Sequence, residues 1–194
     1  MPGEYPKFRS GNVLATVFTG TLSERHGIPV ERIPTPHRLA DWLRANGLAV
    51  TFCTDLDLDR ARELREAIHV AATAAAHEEG IPAAAAHVIN TCSAAGRAAA
   101  YVTPASDRQW RLSSDSAITD ALGVIAADAI AMITGERDGR LAVCASPTCQ
   151  AVFVDSSQSR TRRWCDMNTC GNRDKKARFL ANHRNNLGPR AGDA

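Results

Sequence analysis

Four cysteines near the C-terminal end carry the clearest chemistry in the sequence. They form two Cys-x4-Cys pairs, Cys144 with Cys149 and Cys165 with Cys170, and fifteen residues separate the pairs. Thiolates are soft ligands, and sulfur-only sets of this kind in intracellular proteins most often hold Zn²⁺ in a tetrahedral shell. Turn-forming residues lie within or beside both pairs, so the chain can double back until all four sulfurs face one ion. The spacing therefore predicts a zinc site.

Disulfides and buried free thiols are the alternative interpretations of these cysteines. Disulfides need an oxidising compartment, and the first residues of the chain lack the apolar core of a secretion signal. Buried free thiols would not need paired spacing, and we expect that description only for the isolated Cys53 and Cys92. Four thiolates would close the metal shell, which favours a structural zinc over a catalytic one.

Length and composition indicate a mainly helical protein with a small appendage. The 194 residues are 44% hydrophobic but only 5% aromatic, and Ala, Leu, Ile and Val supply most of the apolar content, which is typical of helices packed through small residues. We expect an α+β fold that is mainly α. Its predicted parts are a helical domain with a short β-hairpin over residues 1–138, a zinc-binding module of hairpin and helix over 139–187, and a flexible tail over 188–194.

The lengths of the apolar runs and the distribution of charge indicate where the protein is located and what it binds. No apolar run is long enough for a membrane span, so we expect a cytoplasmic protein without membrane contact. Residues 1–139 carry 13 Lys/Arg and 17 Asp/Glu, whereas residues 140–194 carry 10 and 4. A basic module joined to an acidic body is the asymmetry expected of a nucleic-acid binder. The alternative is a solvated basic surface that offsets the charge of the zinc cluster.

Hydrophobic periodicity and capping residues predict the elements that precede the cysteines. Thr35 should cap the first clear helix, and Ser114 or Ser116 the last. Residues 12–19 fit either a helix or a strand. The predicted helices cover residues 36–46, 58–79, 82–95 and 117–134, and a hairpin pairs 98–102 with 108–112.

Residues around the cysteine pairs suggest how the zinc site is built. Strands over 140–143 and 151–154 should form a hairpin with the first pair at its tip. Trp164 directly precedes a cysteine and should cover the metal with its ring. Gly171 would permit a backbone bend after the last cysteine, and Asn172 would cap the helix that follows.

The final helix has two predicted faces. Steps of about 100° place Ala177, Leu180 and Ala181 on one side, which should be buried. Arg173 and Arg184 project to that side, so we expect Arg173 to pack over the thiolates. The residues on the opposite side suit phosphates and base edges, and they are Lys175, Arg178, Asn182 and Asn185.

A basic loop between the two cysteine pairs is a second candidate for nucleic-acid contact. Its members are Arg160, Arg162 and Arg163. The less specific interpretation of both groups is an ordinary exposed surface, since solvated helices and loops often carry Lys, Arg and Asn.

These residues resemble a known architecture. Cys170-Gly171-Asn172-Arg173, with Lys176 after it and Phe153-Val154-Asp155 and Arg162-Arg163-Trp164-Cys165 before it, resembles the CGNR-type zinc finger. Upstream, Thr35-Pro36 followed by Leu39-Ala40 and Trp42-Leu43 resembles the ABATE-type domain that accompanies this finger in bacteria. The resemblance implies a bacterial transcription regulator with zinc on the four matching cysteines.

The sequence is compatible with three classes of function to different degrees. The leading expectation is a DNA-binding regulator whose helical domain senses a small-molecule effector or forms a homodimer. The second is a zinc-stabilised protein-interaction module that does not bind nucleic acid. An enzyme is not expected, because the sequence has no Ser/His/Asp order, no phosphate-binding loop and no Glu beside a His-Cys zinc set.

Overall fold

Helices dominate the fold, and short antiparallel hairpins connect or extend them. A computed structural model describes residues 5–113 and 117–186. Each sheet in these ranges is a pair of consecutive antiparallel strands, so the structure confirms the mainly helical α+β class. The elements are α1 (Leu14–Thr19), β1 (Leu22–Ser23), β2 (Val30–Glu31), α2 (Pro36–Ala45), α3 (Asp55–Ala76), α4 (Ala83–Ala95), β3 (Ala99–Val102), β4 (Arg108–Arg111), α5 (Ala117–Ile133), β5 (Arg140–Val143), β6 (Val152–Asp155), a π-helical turn (Met167–Gly171) and α6 (Asn172–Asn186).

Side-chain caps fix where the helices begin. The Thr35 hydroxyl accepts a hydrogen bond from the Arg38 backbone N–H at 3.2 Å, which confirms the predicted start of α2. Helix α3 begins at Asp55, three residues before the predicted position, because Thr54 and Asp57 form a reciprocal capping box. Residues 12–19, which the sequence left open, contain the helix α1. The predicted caps at 114 and 116 and the tail over 188–194 lie outside the described residues.

One hydrophobic core joins the helical body to the hairpin of the C-terminal module. Phe18 of α1 and Trp42 of α2 are fully buried, and their ring centroids lie 5.1 Å apart. Ile68 of α3 and Ile125 of α5 are equally buried in this core. Val152 of β6 belongs to the same cluster, and apolar side chains from both β5 and β6 pack against it. The module is therefore built on the body, not suspended beside it.

The two isolated cysteines lie at the edge of this core. Cys53 and Cys92 are both half-buried, so they are less enclosed than the sequence predicted. Burial, together with the nearby Asp57 carboxylate, raises the pKa of the Cys53 thiol to about 11. Burial also raises the pKa of the Cys92 thiol. Both side chains therefore behave as small neutral packing groups at neutral pH.

A buried carboxylate ties the β3–β4 hairpin to the helices. Asp120 of α5 is fully buried, and its two oxygens accept hydrogen bonds from the backbone N–H groups of Arg97 and Ser113 at 2.8 and 2.7 Å. Burial alone would raise the pKa of Asp120, but these bonds outweigh it and the pKa is lowered. Beside this anchor, a Cβ added at Gly123 would lie 2.6 Å from the Gly96 Cα, so the close approach requires glycine.

An ion network fastens the loop between β1 and β2 to α3. Arg65 is only 3% exposed, and its guanidinium pairs with Glu31 at 2.8 Å and with Glu66 at 2.9 Å. Glu66 also pairs with Arg25, which lies in the loop itself. A buried guanidinium needs such partners to offset the loss of hydration. The network fixes a loop that, as shown below, reaches the cysteine cluster.

His69 of α3 should make stability depend on pH. Its Nδ1 is buried without a hydrogen-bond partner in the described part of the chain. Burial, reinforced by the Arg25 cation, lowers its pKa from 6.5 to about 4. Between pH 6.5 and pH 4, His69 is therefore protonated in the unfolded chain but neutral in the folded chain. The free energy of unfolding falls as the pH decreases through this range, by about 3 kcal/mol at most.

The substitution His69→Gln should flatten that dependence. Urea unfolding of wild type and variant, followed by far-ultraviolet circular dichroism between pH 7.5 and pH 4.5, measures the difference in slope. Equal slopes would show that His69 does not contribute.

Candidate metal centre

The β5–β6 hairpin presents the first cysteine pair. Val143 pairs with Val152 at its end, and the Cys144 N–H then donates to the Ala151 carbonyl at 2.9 Å. Inside the turn, the Cys149 N–H donates to the Ser146 carbonyl at 3.1 Å. These bonds fold the turn back on itself, so that both thiols lie on one side of the hairpin tip.

The four thiols of the two pairs converge as the spacing predicted. Their sulfur atoms all lie within 4.8 Å of one another, and the separations of Cys165 Sγ from Cys149 Sγ and Cys170 Sγ are 3.7 and 3.8 Å. A tetrahedral Zn²⁺ with bonds of about 2.3 Å requires sulfur–sulfur edges of about 3.8 Å, whereas a disulfide requires about 2.05 Å. The donors fit a zinc ion, and the cysteines are free rather than bonded in pairs.

The electrostatics of the cluster also call for a cation. Hydrogen bonds from Cys144 and then Cys165 lower the pKa of Cys149, while hydrogen bonds with Cys144 and then Cys149 raise the pKa of Cys165. Burial, followed by the neighbouring thiolates, raises the pKa of Cys170 to about 12. The protein alone therefore favours a thiolate at Cys149 and disfavours one at Cys165 and Cys170. A divalent ion with soft-ligand preference removes this conflict, because it stabilises all four in the charged form.

Asp155 at the end of β6 shapes the loop that leads to the second pair. Its carboxylate is fully buried and accepts from the Ser157 N–H at 3.0 Å, the Ser157 hydroxyl at 2.6 Å and the Arg162 N–H at 2.7 Å. Burial works to raise its pKa, but these bonds prevail and lower it. Sequence reasoning noted Asp155 only as part of a motif. A single acid directly after an apolar strand gave no sign that it would organise a loop.

Trp164 and Gly171 pack together at the second pair. Trp164 is half-buried and lies against the cluster formed by the cysteines and Phe153. A Cβ on Gly171 would lie 2.9 Å from Met167 Cε and 3.3 Å from the Trp164 ring. Gly171 does not adopt a positive φ. The predicted bend stays a prediction, and a larger residue here would have to displace the flexible end of the Met167 side chain.

The helix begins before the last cysteine, which changes the predicted role of Asn172. The Asp166 carboxylate caps the π-helical turn by accepting from the Asn168 N–H at 2.7 Å. Cys170 thus lies within a helical turn. Asn172 follows in the first residue of α6, where its side-chain amide donates to the Asn168 carbonyl at 3.2 Å. Asn172 stabilises the junction of the two helical segments and is not the cap.

Helix α6 extends into solvent, contrary to the predicted buried face. Ala177 and Ala181 are exposed, as is Leu180 at 46% and Phe179 at 68%. These residues do share one face of the helix, but residues 175–183 are all exposed. Lys175 and Asn182 are also exposed, and Arg178 pairs with Asp174 at 2.9 Å one turn away. The side chain of Asn185 lies outside the described residues.

The three loop arginines differ in what they contact. Arg162 donates to the Cys165 carbonyl at 2.9 Å and stacks over Phe153, so its side chain supports the second cysteine pair. Arg163 is exposed and stacks on Trp164. Arg160 is exposed and pairs with Asp138. Two of the three therefore remain accessible, and Arg162 is largely engaged within the module.

Comparison with protein-family models agrees with this geometry. Residues 12–136 match the ABATE family, described as "Putative stress-induced transcription regulator". The chain belongs to the ABATE family. Residues 140–183 match the CGNR zinc finger, which contains the four converging cysteines. No curated protein matches the chain significantly. Among the helices of the described ranges, none has the length and apolar character needed to cross a bilayer.

The arginine that ends the CGNR motif connects the zinc finger to the ABATE domain. Arg173 Nη1 lies 2.6 Å from Glu24 Oε2 and 2.8 Å from Thr148 Oγ1, and Nη2 lies 3.1 Å from Glu24 Oε1. Thr148 belongs to the first cysteine turn, and its carbonyl accepts from the His26 N–H. The guanidinium directs its hydrogen bonds to Glu24 and Thr148, and the nearby Cys170 and Cys149 also help to raise the pKa of Arg173, so the predicted packing over the thiolates stays a prediction. We call the Glu24–Arg173–Thr148 contact the clamp.

Sequence reasoning missed Glu24 entirely, and only the structure reveals its role. The hydrogen bond from Arg173 lowers its pKa, against the opposing effect of burial. Its backbone has a φ of +53°, a strained conformation for a residue with a side chain. A strained residue that holds a bidentate ion pair indicates that the loop is shaped around this contact.

The zinc content can be measured directly. Protein purified without added metal should contain one Zn²⁺ per chain by elemental analysis. Cys165→Ser should fall well below one equivalent and unfold at lower temperature, because structural zinc supplies much of the folding free energy of such a module. The control Cys92→Ser should keep its zinc. Near-zero zinc in wild type, with four reactive thiols, would refute the site.

The clamp can be tested by a double-mutant cycle. Glu24→Gln and Arg173→Gln should be non-additive, with a coupling of about 1 kcal/mol, because the pair is bidentate but half-exposed on the arginine side. Denaturant unfolding gives the free energies. Glu63→Gln combined with Arg173→Gln is the control, since Glu63 is an exposed acid on α3. A coupling near zero for Glu24 would mean that the contact contributes nothing.

Proposed function

We propose that this protein is a zinc-containing, non-enzymatic transcription regulator that binds DNA through α6. The exposure of that helix carries the proposal. Every residue from Lys175 to His183 is exposed, and residues 172–186 contain five Lys/Arg against one Asp. Fifteen residues of helix extend about 22 Å, and an α-helix fits the major groove of B-DNA.

Individual residues of α6 would have distinct roles in such a complex. Lys175 is a mobile point charge suited to phosphate, and Asn182 offers the bidentate geometry that pairs with adenine. Arg178 would exchange its pair with Asp174 for a phosphate or a guanine edge. The zinc centre and the clamp would hold the base of the helix, so that these side chains approach the groove in a fixed orientation.

A protein-interaction module remains the second candidate, because Phe179 and Leu180 expose apolar surface on the same helix. We also propose a cytoplasmic location, a small-molecule effector and a homodimer. The effector proposal is supported by an open cleft of about 1130 Å³ between the β3–β4 hairpin and α5. Trp110, Asp128 and Arg137 are among its lining residues.

Salt-dependent DNA binding tests the proposed function. Lys175→Gln and Arg178→Gln should each weaken binding to a labelled duplex and lower the slope of log K against log salt by about one. The reason is that a variant with one phosphate contact fewer releases about one counterion fewer when it binds. Fluorescence anisotropy between 50 and 200 mM salt measures the slope.

Matched controls separate the helix from general charge. Arg44→Gln and Arg60→Gln remove exposed arginines of the helical body and should leave the slope near that of wild type. If Arg160→Gln and Arg163→Gln reduce binding while the α6 variants do not, the loop is the recognition element. Absence of binding by the wild type at 50 mM salt would favour the interaction module.

A further inference from the structure

The β3–β4 hairpin projects from the helical body, and Trp110 is the strand residue that packs against the core. Each residue of β3 is exposed, with Val102 at 76%, and in β4 only Trp110 is half-buried. The cleft described above separates part of this hairpin from α5. A two-stranded hairpin is marginally stable in water on its own. This one therefore depends on its attachment, and its exposed surface does not serve the core.

The attachment is concentrated at the base of the hairpin. Asp120 holds the backbone on both sides, at Arg97 before β3 and at Ser113 after β4. The contact between Gly96 and Gly123 brings the same base against α5 with no room for a side chain. A hairpin that is fixed at its base and exposed along its strands is suited to contact a partner outside the fold. We call residues 97–113 the arm.

The charge of this arm is opposite to that of the domain that carries it. Residues 97–113 contain three arginines and one acid, whereas the rest of residues 1–139 contains ten Lys/Arg and sixteen Asp/Glu. Among the residues that the structure describes, no carboxylate forms an ion pair with Arg97, Arg108 or Arg111. The partner of the arm should therefore be an anion.

The strand register places the arginines on both faces. Arg108 pairs with Val102 and shares a face with Trp110, over whose ring its guanidinium lies at 4.3 Å from the centroid. Arg111 lies on the other face with Tyr101, at 5.2 Å from that ring. Both guanidinium groups thus lie within cation–π distance of a ring, and a guanidinium in this position still has N–H groups that can donate to an anion.

We propose that the β3–β4 hairpin is a second DNA-binding element, inserted into a groove so that its two faces meet phosphates of both strands. This inference rests on the proposed function of the protein. The major groove admits a two-stranded ribbon and is bordered by two phosphate backbones, which matches arginines on opposite faces. A flat acidic surface on a second copy of the chain would satisfy only one face.

The test uses full-length protein and a 30-base-pair duplex. Arg108→Gln/Arg111→Gln should lower the slope of log K against log salt by about two and weaken binding roughly tenfold at 100 mM salt. Arg108→Lys/Arg111→Lys keeps the charge and should retain most of the slope. Arg44→Gln/Arg60→Gln removes the same charge from the body and should leave the slope unchanged. Zinc content and thermal unfolding establish that each variant is folded.

Each outcome decides the matter. A slope that falls in the Gln pair but not in the body control supports the proposal. A Gln pair that behaves like the body control, while Lys175→Gln and Arg178→Gln lose affinity, overturns the hairpin contact and leaves α6 as the binding element. A Gln pair with unchanged DNA binding but a lower mass by sedimentation shows that the hairpin binds a second copy. No binding by any form, including wild type, overturns both proposals.

Discussion

Four sulfur atoms held less than 4.8 Å apart are the constraint on which the C-terminal part of the structure depends. Thiols this close together cannot all ionise without a cation. If they stay neutral, they contribute little free energy to the association of the two cysteine-containing segments. With a divalent ion the same proximity becomes favourable. The ion then connects the hairpin tip to the helical turn that precedes α6. So small a unit has too few hydrophobic residues to make an equivalent connection.

Buried carboxylates also contribute to the structure, because they fix the loops beside the β3–β4 hairpin and between the two cysteine pairs. Asp120 and Asp155 are both fully buried, and each accepts backbone N–H groups from loop residues. Each carboxylate gathers two stretches of backbone that lack a strand or helix partner of their own. The clamp works differently, since Glu24 binds a guanidinium and a hydroxyl from two parts of the zinc finger. The clamp thus adds a polar contact to the apolar packing of β5 and β6 on the helical body.

The sequence predicted the features that depend on local pattern. Helix α2 follows from Thr35 and Pro36, and the convergence of the cysteines follows from their spacing. The failures have a common cause. A helical wheel identifies which side chains share a face of α6, but it cannot tell whether anything packs there. Asn172 was assigned as a cap because a π-helical turn upstream leaves no clear signature. Glu24 was missed because its partner lies 149 positions away.

That separation has a consequence for how the chain becomes folded during synthesis. The loop around Glu24 is made early, yet its ion pair waits for Arg173, and the helical core waits for Val152. Loop closure over such a distance is slow relative to helix formation. The residues up to Arg173 must therefore leave the ribosome before the first domain can reach its final packing. Although the family boundaries divide the chain near residue 138, the native state matures as one unit.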